Sequence, residues 1–201
     1  MSPSARRPAA SSRPARPRPT TAPLALPDRP AFRALQAKLP AATLVPATPL
    51  QSGMLAQTVA SDGALYVHKH TLQLDASADQ IKEAWARLVA SNTILRTSFH
   101  AVDDAVVPWV QAVHTSIVPD VTLGPSVTPP WNTTEALAQP LHKLYLHGNE
   151  ATLWMHHALY DAHALGEILD ELDALLQGET PEVPPPYAAL VPHLNAGERH
   201  A

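Results

Sequence analysis

The segment Ser77 to Val89 constrains the fold most, because it admits one secondary structure and requires a layer to bury it. Ser77 followed by Gln80 is a capping-box pair, and Ile81, Ala84, Trp85, Leu88 and Val89 recur at helical spacing. Such a one-sided helix needs an apolar surface, and the neighbouring segments supply strands to build it. Leu65 to Leu74 reads as a strand with Tyr66, His68, His70, Leu72 and Leu74 on one face. Ile94–Val102 and Val106–Val113 read as strands joined at Asp103-Asp104. Leu141–His147 and Ala151–His157 flank Gly148-Asn149, a hairpin signal. A helix is expected from about His163 to Gln177, carrying Leu165, Ile168, Leu169, Leu172, Leu175 and Leu176, and stopping at Gly178. Earlier, Phe32, Leu35 and Leu39 suit a short helical turn before Pro40. Thr48-Pro49 opens another helix, with Leu50, Met54 and Leu55 expected inward. Val118 to Asn132, rich in Pro, Thr and Gly, reads as a loop. Hairpins and crossovers are mixed, so the class is α/β or α+β.

A chain of 201 residues can hold one ordinary domain. No apolar run approaches the ~18–20 residues of a membrane-spanning helix. Zero cysteines exclude disulfides and thiolate metal sites, which suits a cytoplasmic protein. Charge is uneven. Residues 1–38 hold eight Lys/Arg and one acid, whereas residues 39–201 hold six and seventeen. The basic excess lies in residues 1–30, with eight of the 22 prolines, so this stretch is expected to be a disordered Pro/Arg-rich tail. Its arginines and serines also fit a mitochondrial presequence, which the prolines oppose. The acidic remainder and the few aromatics speak against nucleic-acid binding. Residues 31–180 are expected to form the folded unit. Residues 181–201, with four prolines between Pro181 and Pro186, read as a linker or the start of a further lobe.

The chemistry-bearing stretch is His156-His157-Ala158-Leu159-Tyr160-Asp161-Ala162, after the apolar run Leu153-Trp154-Met155. A histidine at the end of a buried strand is held rigidly while facing a cleft, and imidazole exchanges a proton near neutral pH. By strand alternation His156 faces away from His157 and has a structural role. The same alternation disfavours a metal site built from His156, His157, Asp161 and His163. The remaining histidines, among them His68, His70, His100, His114 and His142, read as solvated or ordinary. Trp85 and Trp154 read as core, and Trp109 and Trp131 as partly exposed.

Together with Thr48-Pro49-Leu50-Gln51-Ser52-Gly53-Met54-Leu55 and Leu95-Arg96-Thr97-Ser98-Phe99, this stretch resembles the first three signature motifs of nonribosomal peptide synthetase condensation domains. The resemblance runs over roughly residues 44 to 178 and looks most like fungal synthetases, including those that make siderophores. It implies a chloramphenicol acetyltransferase-like two-layer sandwich, here as a single N-terminal lobe. It also implies that an acyl thioester on one carrier protein is joined to an amine on another. By the same resemblance His157 is the active-site histidine, taking the amine's proton or positioning the amine. Asp161 is a structural carboxylate paired with Arg96, and His156 supports the site. No cofactor is bound directly; phosphopantetheine arms of carrier proteins carry the substrates. The implied partners are those carriers and a second condensation lobe, with no nucleic acid or membrane.

The stretch departs from the family pattern at Ala162, where glycine is usual, and at Ser91-Asn92, where Arg-His is more usual. The chain is also too short to hold a second lobe beside the first. Alternatives to catalysis are therefore a truncated lobe that binds carriers without turnover, or a small acyltransferase that completes its site by self-association.

Overall fold

Residues 29–180 are described by the computed structural model. The expected tail over residues 1–30 and linker over 181–201 lie outside them, apart from Arg29 and Pro30, and Pro30 already begins a helix. In chain order the elements are α1 (Pro30–Lys38), β1 (Thr43–Pro46), α2 (Pro49–Ala60), β2 (Val67–Gln73), α3 (Ala78–Ser91), β3 (Thr97–Ala101), β4 (Trp109–Val113), β5 (Val121–Leu123), β6 (His142–His147), β7 (Glu150–His156) and α4 (Ala162–Leu176). Single 3-10 turns cover Thr93–Arg96 and His157–Leu159.

The strands make two sheets. One has the order β1-β4-β3, and the other β2-β7-β6-β5. All pairs are antiparallel except β5 with β6. The expected hairpins β3–β4 and β6–β7 are present, the second turning through Gly148 at φ 61°. The Val118–Asn132 stretch contains the short strand β5 rather than loop alone, because it borrows its pairing from β6.

Local signals fix the helix starts. Thr48 and Ser77 each complete a capping box, with Gln51 and Gln80, and so satisfy N–H groups at the start of α2 and α3. The apolar face of α3 is wholly inside, with Trp85 and Leu88 at 0% exposure. Ile168, Leu172 and Leu175 of α4 join it in one core with Leu144 and Leu146 of β6 and Leu153 and Met155 of β7. Ser91 Oγ and Asn92 Nδ2 both donate to the Glu171 carboxylate, at 2.8 and 2.7 Å, tying the end of α3 to α4. The Ser91-Asn92 departure therefore has a local use. Phe32 and Leu35 of α1 pack separately against Val107 and Val110.

Several expectations about burial and strand extent change. Trp109 and Trp131 are buried, at 6% and 3%, whereas Trp154 is only half-buried. Leu50 is 68% exposed and not inward, because the inward face of α2 is taken by Gln51, Leu55 and Thr58. Tyr66 is not part of the strand, since its φ is 64°, a left-handed conformation uncommon for a bulky residue.

Candidate active site

The end of β7 is where the chain leaves the sheet. Val67 pairs with His156, and one residue on, His157 N–H donates to Tyr66 O at 2.8 Å. The backbone at Tyr66 is thus turned so that its carbonyl extends the β2–β7 ladder by one bond. His157, Ala158 and Leu159 form a single 3-10 turn, and Asp161 starts α4. Gln51 holds the turn from across the molecule. Its Nε2 donates to Ala158 O at 2.9 Å, while its Oε1 accepts Thr48 N–H. The first motif therefore braces the third through Gln51.

The paired histidines have different surroundings, His156 closing β7 and His157 opening the turn. His156 is 0% exposed, and its Nδ1 accepts Ala158 N–H at 3.0 Å. Its Nε2 lies 2.8 Å from Thr58 Oγ1, whose own proton goes to the Met54 or Leu65 carbonyl. Since Nδ1 accepts, the proton of a neutral ring sits on Nε2 and is donated to Thr58. Burial, with the neighbouring His157 and His68 rings, pushes His156 down to about 4.

His157 faces an open cleft of about 500 Å³, whose lining includes Pro49, Leu50 and Met54 of α2, Ile94, Leu159 and Ala164. The cleft is mainly apolar. The Nδ1 of His157 is buried and has no hydrogen-bond partner among the described residues. Aromatic rings surround the imidazole instead: Tyr160 at 5.0 Å, His68 at 5.2 Å and Tyr66 stacked at 6.5 Å between centroids.

His68 is exposed, as expected of a solvated residue, and His70 is half-buried, but both are engaged. His68 Nδ1 and His70 Nε2 meet the Tyr160 hydroxyl at 2.8 and 3.0 Å. Burial lowers both imidazoles from their ordinary value, more than the charge of His157 on His68 or of His68 on His70. Burial raises the Tyr160 phenol to about 12. Their i, i+2 spacing on a strand was the available signal, since it places both on one face. His142 is also buried, not solvated; its Nε2 donates to Leu95 O at 2.8 Å, and burial brings it to about 4. His100 and His114 share the Ser98 hydroxyl, each at 2.8 Å.

The expected Arg96–Asp161 pair is not formed. Arg96 Nη1 donates to the carbonyls of His114 and Thr115, and its Nε is buried without a partner among the described residues. Asp161 is exposed and caps α4, accepting Ala164 N–H at 2.8 Å. A solvated carboxylate at a helix N-terminus already has N–H donors and the helix dipole, so no buried charge is left for an arginine to share. Ala162 is the exposed first residue of that helix, where the backbone requires no glycine. His163, the last member of the disfavoured metal set, is likewise exposed and lies 3.2 Å from Glu167.

The chain is 36% identical over 170 residues to a ferrichrome siderophore peptide synthetase of Mycosarcoma maydis. It is 34% identical over 170 residues to a coprinoferrin synthetase of Coprinopsis cinerea. These alignments cover 76% and 74% of this chain, but only 4% and 7% of the relatives. Among solved structures, the condensation domain of the monacolin K polyketide synthase matches with a TM-score of 0.60 at 18% identity, over 78% of this chain and 40% of that one. Over about three quarters of its length the chain is thus related to fungal peptide synthetases, and its fold is that of condensation domains. The starter condensation domain of rhizomide synthetase matches with a TM-score of 0.55 at 18% identity, over 79% of this chain and 44% of that one. The condensation-domain fold is thus the expected chloramphenicol acetyltransferase-like type. No protein-family profile matches the chain.

Proposed function

We propose that this chain supplies the histidine-bearing side of a condensation site in a nonribosomal peptide synthetase system, of the kind that builds siderophores. The observation that carries this is His157 at the end of β7, facing an apolar cleft with its Nδ1 bound to nothing among the described residues. In that role the acceptor amine nitrogen attacks the donor thioester carbonyl. The proton leaving that nitrogen passes to His157, the C–S bond breaks, and the carrier thiol departs with a proton. The substrates arrive on the phosphopantetheine arms of carrier proteins. The apolar lining suits the uncharged part of such an arm and lowers water activity beside the amine. His156 and Gln51 act at one remove, fixing the turn that presents His157.

A second reading is favoured by the open cleft and by an Arg96 and Asp161 that do not pair with each other: a lobe that binds carriers without turnover. Incubating the purified chain with a donor-loaded carrier and an amine-loaded acceptor, and following amide by mass spectrometry, separates the two. Multiple turnovers, abolished in His157→Ala, support catalysis. Carrier binding without product, under conditions where a complete synthetase makes it, supports the binding lobe. Turnover only by a self-associated form, on size-exclusion with mass detection, assigns the opposite side of the cleft to another copy.

A further inference from the structure

We infer that Tyr160, clamped through its hydroxyl by His68 and His70, is a positioning residue for His157, so that β2 forms part of the working site. The inference rests on the reading of His157 as the proton-handling group.

An imidazole that works as a base is commonly oriented by a hydrogen bond to its other nitrogen. His157 lacks that tether among the described residues, since its Nδ1 is buried without a partner and Asp161 is committed to capping α4. The ring's rotation is therefore limited by what packs on it. Tyr160 meets it edge-on at 5.0 Å and 63°, and His68 lies tilted at 5.2 Å and 42°. Tyr66 stacks on it at 6.5 Å and 16°.

Tyr160 is itself held by convergence. His68 and His70 stand opposite Met155 and Leu153 in the β2–β7 register, so both project to one face. Both reach the same phenol oxygen, at 2.8 and 3.0 Å. That oxygen has one proton, so it can donate to only one ring, and the other ring must donate to it. One hydroxyl thereby links the tautomers of two imidazoles and fixes the tyrosine edge that touches His157. The titratable groups near His157 are Tyr66, His68 and His70 from β2 and the residue before it, and His156, Tyr160 and Asp161 from its own segment. Of these, His156 turns to Thr58 and Asp161 to solvent.

The test uses chain labelled with ¹⁵N and ¹³Cε1 at histidine, with long-range ¹H–¹⁵N spectra reporting each ring's tautomer and ¹³Cε1 relaxation reporting its mobility. Tyr160→Phe keeps the ring and removes only the hydroxyl. The expected result is that His68 and His70 lose their fixed tautomers and the His157 ring becomes more mobile. His70→Asn, which keeps Tyr160 intact, should mobilise His157 less and serves if Tyr160→Phe does not fold. In a synthetase that contains this segment, Tyr160→Phe should lower kcat about tenfold with KM held within about twofold. A His157 ring whose signals and relaxation match the wild type, while His68 and His70 change, would overturn the inference whatever the activity. Failure of the wild-type synthetase to form amide would instead overturn the proposed function and leave the spectroscopic result standing.

Discussion

His156 and His157 are adjacent, identical in type and opposite in circumstance. His156 is sealed beneath α2 with both ring nitrogens engaged, by Thr58 and by Ala158 N–H. His157 faces a cleft, bounded by three aromatic rings, with a buried nitrogen engaged by nothing among the described residues. A one-residue step off the end of β7 is enough for this, because His156 is the last strand residue and His157 opens the 3-10 turn. Residue identity therefore does not assign chemistry here. Satisfied hydrogen bonds make one ring a structural post, whereas the other ring lines an open cleft.

Acid offers the largest expected effect on this contrast, because it acts on the sealed side. His156 and His142 sit at about 4 in the fold, below the ordinary 6.5, so the unfolded chain takes up protons first as pH falls. Their stabilisation is complete above about pH 6.5 and is lost on the way down to about 4. Urea unfolding at pH 7 and 4.5 should show a loss of roughly 2.5 kcal/mol for each ring. Equal stability at the two pH values would show that His156 is not sealed. A smaller effect sharpens the comparison at the other end of the turn. Asp161→Ala should remove a helix cap, costing about 1 kcal/mol, and Arg96→Met should remove two carbonyl bonds at a similar cost. A double-mutant cycle between them should give coupling below about 0.3 kcal/mol. Coupling of several kcal/mol would restore the ion pair that the motif resemblance implied.

What the sequence made legible was local. The capping boxes at Thr48 and Ser77, the face of α3, the turn at Gly148 and the placement of His157 at a strand end all depend on residues within a few positions of one another. The unforeseen features depend on distant chain. Tyr160 meets His68 across 92 positions, and Gln51 meets Ala158 across 107. Leu50 fits the apolar spacing of α2 yet lies outside, because Gln51 and Thr58 take inward places to bond Ala158 and His156. Trp109 and Trp131 fall in segments of weak periodicity, and only the packed core shows them buried. Asp161 illustrates a competition that motif spacing cannot resolve. The same carboxylate can brace an arginine or cap a helix, and position at the start of α4 decides for the cap.

The most direct test of the division between the two histidines is the rate of amide formation per folded molecule in His157→Ala, measured in a synthetase containing this segment. The rate should fall by roughly 10²–10⁴-fold, the scale of a lost proton-transfer group, while the folding stability stays within about 1 kcal/mol of the wild type. Turnover equal to the wild type, in a variant that folds normally, would contradict the assignment of His157 as the working histidine.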